Sequence, residues 1–196
     1  MDSKPVRNMP SSRRSVQYVK VVFVGPGGAG KSTIARRLIT GGFVNTDMTV
    51  GMDVESWSLL DTSKNVTLGV SISDLGGQNQ FRFFQPGLIR GAKAAVLVVD
   101  LERFDTVISL DEWLAMLESI PRNRWILVGN KVDRATECAC EEVAKKAEDL
   151  TIRYVIISAK EGTNFEALEA ELTSIITSAT LEQRHAQVEA ASKQCE

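Results

Sequence analysis

Soft metal ligands are scarce in this 196-residue chain, which has three cysteines and one histidine. Cys138 and Cys140 fall in a helical pattern and Cys195 in a polar tail, and His185 is the only imidazole. No four-ligand zinc set can be assembled from them. A reduced, cytosolic setting is the simplest reading of so odd and small a number. Long apolar runs are missing as well. Nothing approaches the roughly 20 residues that cross a bilayer, and the first residues lack the apolar core of a secretory signal. Net charge is nearly absent, since 23 Lys and Arg against 25 Asp and Glu leave −2. That balance gives no broad electrostatic case for a nucleic-acid partner. With 43% hydrophobic and 24% charged residues the composition is that of an ordinary globular protein, and the length fits one domain with tails.

Residues 1–16 are polar and carry Lys4, Arg7, Arg13 and Arg14; they read as a loose N-terminal arm. From Tyr18 onward, short apolar runs alternate with helical patterns. The runs are Val19–Val24, Lys93–Val99, Arg124–Val128 and Arg153–Ile157. Runs this short and continuous suggest strands buried on both faces, hence a parallel sheet. Val107, Leu110, Leu114 and Leu117 keep helical spacing up to Pro121. Val143, Ala147 and Leu150 mark a second helix, and Phe165, Leu168, Leu172, Ile175 and Ile176 a third. Thr163 and Glu166 have the spacing of a capping box at the start of that last helix. Asn65–Ser73 differs: Val66, Leu68, Val70 and Ile72 alternate with small or polar residues, the period of a half-exposed strand. Met52–Leu60 before it can also be extended, which predicts an antiparallel hairpin at one sheet edge. The whole pattern predicts an open α/β sheet with right-handed crossovers. Residues 179–196 are polar and alanine-bearing, either an exposed helical extension or a disordered tail.

Three of the strand ends carry chemistry, and so does the end of the period-two strand. Gly25-Pro26-Gly27-Gly28-Ala29-Gly30-Lys31-Ser32 fits G-x-x-x-x-G-K-[ST] and sits between a predicted strand and a helical segment, the context that motif requires. Glycines let the backbone wrap a phosphate with its N–H groups, and the helix N-terminus adds a favourable dipole. Lys31 would reach the β- and γ-phosphates and Ser32 would ligate Mg²⁺, with Thr33 beside it at the helix start. Asp74-Leu75-Gly76-Gly77-Gln78 closes the period-two strand. Asp74 is where a carboxylate would approach Mg²⁺ through water, Gly77 can offer an N–H to the γ-phosphate, and Gln78 can orient an attacking water.

The base-side elements follow. Asn130-Lys131-Val132-Asp133 comes after the run ending at Val128, where a strand's carboxyl end meets the ligand crevice of an α/β sheet. Asp133 can accept from guanine's N1–H and exocyclic amine, a donor pair that adenine lacks. Asn130 would tie the base loop to the phosphate loop, and the Lys131 stem could cover the base. Ser158-Ala159-Lys160 could aim backbone N–H groups at the guanine O6. Each short motif alone is compatible with a surface turn; their order, each at a strand end, is what carries the reading.

At this point the chain resembles the Ras superfamily over residues 17–178. The resemblance implies a P-loop G domain: an α/β fold whose six-stranded sheet has five parallel strands and one antiparallel edge strand, with helices on both faces. It also implies that Thr49-Val-Gly-Met-Asp53 is a Rab-type switch I stretch. Thr49 would then sense the γ-phosphate and Mg²⁺, and Phe43 would pack on the guanine. Residues 43–53 would be switch I and 74–90 switch II, both ordered by the γ-phosphate. The subfamily marks are mixed. Asp-Leu-Gly-Gly-Gln is similar to Arf-type proteins, yet Asp2 stands where a myristoylation glycine would. The region from Thr49 to Asp53 and the helix near Phe104 are Rab-like, yet Lys193-Gln-Cys-Glu196 is neither a C-a-a-X box nor a double-cysteine ending.

What the resemblance implies is a slow GTP hydrolase with bound GTP or GDP and Mg²⁺, in which Lys31, Thr49 and Gln78 act on the reacting phosphate. Switch I contains no arginine, so no finger is expected in cis and an activating protein is expected to supply one. Effector and exchange-factor partners are expected on switch I and II. The protein is expected to be a cytoplasmic monomer without an integral membrane segment, either soluble or peripheral and recruited by a partner. Two competing readings stay open: a non-hydrolysing GTP-binding scaffold, and a P-loop kinase, which Asn130 and Asp133 oppose. Trp57, Trp113 and Trp125 read as core or interface anchors, Cys138 and Cys140 as unreactive helix residues, His185 as an exposed tail residue, and the charges from Glu141 to Asp149 as a solvated helix face.

Overall fold

The computed structural model describes residues 17–61, 66–76, 85–103 and 105–193. In chain order the elements are β1 (Gln17–Val24), α1 (Lys31–Thr40), β2 (Met52–Asp61), β3 (Val66–Leu75), α2 (Gln85–Ile89), β4 (Ala94–Asp100), α3 (Asp105–Ile108), α4 (Asp111–Leu114), β5 (Trp125–Asn130), α5 (Glu137–Leu150), β6 (Arg153–Ile156) and α6 (Phe165–Lys193). The six strands form one sheet in the order β2-β3-β1-β4-β5-β6. Every neighbouring pair is parallel except β2 with β3. The expected hairpin is therefore present, and β2 is the antiparallel edge strand.

Both faces of the sheet are covered, because successive side chains along a strand point to opposite sides. Val19, Val21 and Phe23 of β1 pack with Ile34 and Leu38 of α1 and with Leu168, Leu172 and Ile176 of α6. Val22 and Val24 face the other way, against Ile89, Trp113, Leu117 and Val143. The central strands β4 and β5 are buried at every position, which explains their unbroken Ala, Val, Leu and Ile runs. Trp57, Trp113 and Trp125 all lie in the core. The indole N–H of Trp125 donates to the carbonyl of Ile120 at 2.8 Å.

Three local readings need correction, and one open alternative is decided. The segment from Arg153 is an edge strand rather than one buried on both faces: Arg153 and Tyr154 are exposed and Val155 is buried. The helix expected through Leu117 is broken into α3, α4 and a 3₁₀ turn at Ala115–Leu117. Leu110 and Trp113 donate three residues back, to Val107 and Leu110 at 3.3 and 2.9 Å, whereas Leu114 donates four back, to Leu110. The β-branched Thr106, Val107 and Ile108 favour helix weakly, and the tighter bonding keeps Val107, Leu110 and Leu117 buried. The start of α6 is not built on a Thr163–Glu166 box. Asn164 sits at φ 55°, and the Thr163 carbonyl accepts from Ser158 N–H at 3.2 Å. Finally, of the two alternatives for the tail, helix is observed: α6 runs 29 residues, to Lys193. His185 lies on it, and its side chain is outside the described residues, as is Cys195.

The charged stretch on α5 is half solvent-facing as expected. Glu141, Lys145, Glu148 and Asp149 are exposed, while Glu142 and Lys146 are half-buried, and Lys146 pairs with Asp111 at 2.7 Å. The Thr136 hydroxyl caps the start of this helix by accepting from Ala139 N–H at 3.3 Å. Among the described residues no helix is long and apolar enough to cross a membrane.

Candidate functional site

Five parallel strands place their carboxyl ends along one edge of the sheet, where ligands of α/β proteins bind. Phe23 pairs with Asp74, and Asp100 pairs with Asn130. Loops leaving these ends surround a cavity of about 300 Å³ lined by Gly27, Lys31, Thr49, Asn130, Asp133 and Lys160, among others. That is the lower end of the size range of small-molecule sites.

The phosphate loop is wound around Lys31, which opens α1. Gly25, Gly28 and Gly30 all have positive φ. At Gly30 (φ 93°) an added Cβ would stand 2.3 Å from Nδ2 of Asn130, so the base loop can approach only because no side chain is there. Lys31 is 5% exposed. Its ammonium donates to the carbonyls of Gly25 at 2.9 Å and Pro26 at 3.0 Å. Burial pushes its pKa down to about 8; the Asp74 carboxylate opposes this and the Arg103 guanidinium adds to it.

Three oxygens meet beside Lys31. Ser32 Oγ lies 2.7 Å from Thr49 Oγ1, Thr49 Oγ1 donates to Asp74 Oδ2 at 3.0 Å, and Ser32 Oγ donates to the same carboxylate oxygen. Asp74 is 1% exposed, and its Oδ1 is buried with no hydrogen-bond partner. A compact set of hard oxygen donors with one orphaned carboxylate oxygen fits Mg²⁺, which takes few protein ligands and keeps waters. Among the described residues no group of three or more His, Cys, Asp and Glu side chains is placed to hold a metal ion by itself. Thr33 Oγ1 lies 3.0 Å from Thr46 Oγ1, joining the start of α1 to the loop before Thr49. Within the phosphate loop Ala29 is fully buried.

At the other end of the cavity, Asn130 is spent on two backbones. It donates to Ala29 at 2.9 Å and accepts from the Ala159 N–H at 3.0 Å. Lys131 is in the left-handed region, φ 69°, and its ammonium reaches Asp100 Oδ2 at 2.5 Å. Asp133 Oδ1 accepts from Ser158 Oγ at 2.6 Å. That bond holds the Asp133 carboxyl below the usual carboxylate range, against the opposing effect of burial. Ser158 Oγ also accepts from Glu161 N–H, at 3.0 Å, which shapes the loop around Ala159 and Lys160. Phe43 lines the cavity at its rim and is 48% exposed.

The structure thus brings together Gly25 to Thr33, Phe43, Thr49, Asp74, Asn130, Lys131, Asp133 and Ser158 to Lys160. Gly77 and Gln78 lie outside the described residues. Several contributors carry no motif. Asp100 is fully buried at the end of β4 and ion-pairs with both Lys131 and Arg103. Arg103 donates to the Gly27 carbonyl at 2.7 Å. Arg37, on α1, donates to the carbonyls of Ala159 at 2.9 Å and Lys160 at 3.2 Å and stacks over Phe165. One sequence signal was available for Asp100: a carboxylate ending an otherwise wholly apolar strand, at the edge where ligands bind.

The sheet order, the glycine loop opening α1 and the crevice above it define a P-loop nucleotide-binding protein. Residues 20–178 match the family model described as the Ras family. Ras-related protein Rab-5B of Plasmodium falciparum is 34% identical over 163 residues, covering 82% of this chain and 78% of that protein. The chain belongs to the Ras family and is a small GTPase. Members of that family in general bind GTP or GDP with Mg²⁺ and answer to effectors, exchange factors and activating proteins.

Proposed function

We propose that this protein binds GTP or GDP with Mg²⁺, hydrolyses GTP slowly, and signals through the difference between the two states. One observation carries the reading. Ser32, Thr49 and Asp74 converge beside the buried Lys31 at one end of a cavity whose other end holds Asp133. Charge neutralisation for phosphate and a carboxylate for guanine are thereby joined in one site.

In the reaction a water attacks the γ-phosphorus, the bond to the β–γ bridging oxygen breaks, and GDP and phosphate leave. Chemistry of this kind needs positioning and charge more than covalent help. Lys31 and the amides of residues 27–32 hold the β- and γ-phosphates. Thr49 and Gln78 place the water, the role of Gln78 resting on the family resemblance. Bound Mg²⁺ would be held by Ser32, Thr49 and Asp74 and would neutralise charge on the phosphate oxygens. Asp133 accepts from the guanine edge, Lys160 offers its N–H to O6 while the Ala159 N–H is held by Asn130, and Phe43 covers the base. With no arginine in residues 43–53, intrinsic turnover is expected on the order of 10⁻⁴–10⁻³ s⁻¹. Activators, exchange factors and effectors then act on residues 43–53 and 74–90, and the protein works as a cytoplasmic monomer, either soluble or peripheral and recruited by a partner.

Single-turnover hydrolysis with Mg²⁺, wild type against Gln78→Leu, tests this once both are seen to bind GTP and not ATP. Slow hydrolysis that slows further in the variant supports it. Tight GTP binding with no hydrolysis in either protein would point to a GTP-binding scaffold or to a switch wholly dependent on its activator, which added activators separate, and wild-type turnover of about 1 s⁻¹ would refute the slow, activator-dependent mechanism.

A further inference from the structure

The turn after β4 is built more elaborately than a connection needs. Asp100 is fully buried, yet its carboxylate serves three donors: Oδ1 accepts from Glu102 N–H at 3.0 Å, and Oδ2 accepts from Arg103 Nε at 2.9 Å and Lys131 Nζ at 2.5 Å. Thr106 fastens the same turn by donating from its hydroxyl to the Arg103 carbonyl at 2.7 Å. So oriented, Arg103 turns its far nitrogen, Nη2, onto the carbonyl of Gly27 at 2.7 Å. An added Cβ at Gly28 would come to 3.4 Å from that nitrogen. The guanidinium therefore lies along the outer side of the loop whose inner side faces the cavity.

We propose that Arg103 is a positioning residue of the nucleotide site, bracing the phosphate loop at Gly27 from outside and coupling it through Asp100 to Lys131 of the base loop. The inference deepens the guanine-nucleotide reading above and rests on it. Arg103 does not line the cavity, so its action is through the loop backbone. Donation to the Gly27 carbonyl turns that peptide so that the adjoining N–H groups stay available to an anion. A forked guanidinium suits this task because one nitrogen can be held by Asp100 while another holds Gly27. Glu102 and Arg134 also face this cluster, Glu102 lying 4.0 Å from Lys131 and 3.5 Å from Arg134. Their side chains are 42% and 56% exposed, so solvent screens them while Asp100 stays dry.

The test is release of a fluorescent GDP from the full chain in Mg²⁺ buffer, with the phosphorus NMR spectrum of bound GDP and a thermal melt run alongside. Losing a charge-assisted bond to the loop is expected to speed release about tenfold in Arg103→Ala and to move the β-phosphate resonance. Arg103→Lys keeps the charge and loses the fork, so an intermediate rate, about threefold faster than wild type, is expected. Release within about twofold of wild type in Arg103→Ala, with an unchanged phosphorus spectrum, overturns the proposal. If Arg103→Ala does not fold, Arg103→Lys decides alone: faster release with a shifted resonance supports it, and wild-type behaviour overturns it. A wild-type protein that retains no GDP would instead sink the guanine-nucleotide reading, and this inference with it.

Discussion

Asn130 donates from its side-chain amide to the carbonyl of Ala29, 101 residues earlier in the chain, at 2.9 Å. With its oxygen it accepts from Ala159, so one side chain closes both the phosphate loop and the loop after β6 onto the base loop. Asn130 is 2% exposed, and neither backbone group can turn to water when it is lost. Asn130→Ala is expected to speed GDP release by about tenfold to a hundredfold, from two unmade buried hydrogen bonds. Dissociation kinetics check this, and a change below about twofold would refute it.

The same contact makes Gly30 intolerant of a side chain. A Cβ there would meet Asn130 Nδ2 at 2.3 Å, on a backbone at φ 93°. Gly30→Ala adds positive-φ strain of roughly 1–2 kcal/mol to the displacement of Asn130. A lower melting temperature together with lost nucleotide binding is the expected result, read by calorimetry and by nucleotide content after purification.

Asp133 should decide which purine is bound. A carboxylate can accept from both donors on the guanine edge, whereas an amide offers one acceptor and one donor. Asp133→Asn is therefore expected to weaken GDP and to favour xanthosine diphosphate, which carries a carbonyl where guanine has its amine. Competition binding reads the change of preference. The Ser158 hydroxyl tunes the same group. Since Asp133 is held below the usual carboxylate range in the folded protein, the favourable charged form is present above the ordinary value. It is lost only as pH falls through the depressed one. Ser158→Ala is expected to move that loss to higher pH, visible in a carbon NMR titration of the Asp133 carboxyl; identical midpoints would count against it.

Chelation should loosen the nucleotide. Ser32, Thr49 and Asp74 present oxygen donors to a site fitted to Mg²⁺, and Asp74 Oδ1 is buried without a partner. Excess EDTA is expected to speed GDP release, and Asp74→Asn to raise the Mg²⁺ concentration needed for retention while blunting the response to EDTA. An off-rate indifferent to EDTA would show that these oxygens serve only one another.

Much of this architecture could be read along the chain, for physical reasons. β4 and β5 sit inside the sheet, so burial on both faces forced continuous apolar runs, and β3 showed its period because its outer face is only partly covered. The phosphate loop was legible because backbone wrapping demands glycine at fixed spacing. Strand position in the sheet was not legible, which is why Arg153 and Tyr154 turned out to be exposed edge residues. Hydrogen-bond spacing in the segment from Thr106 to Leu117 was hidden too, because i−3 and i−4 bonding leave the same residues buried. Arg103 and Arg37 carried no signal because each acts on a carbonyl far along the chain, and no local pattern announces such a partner, whereas Asp100 was marked only by its place at the end of an apolar strand.

Gly76 joins two segments expected to answer to nucleotide. Its N–H donates to the Gly51 carbonyl at 2.7 Å, and an added Cβ would meet the carbonyl oxygens of Gly51 and Thr49 at 2.8 and 2.9 Å. The backbone of residues 49–51 and the end of β3 are thus laid against each other with no side chain between. Neither can shift far without breaking that bond or carrying its neighbour along. The two segments are therefore expected to answer together, so that a partner touching either would meet the same state.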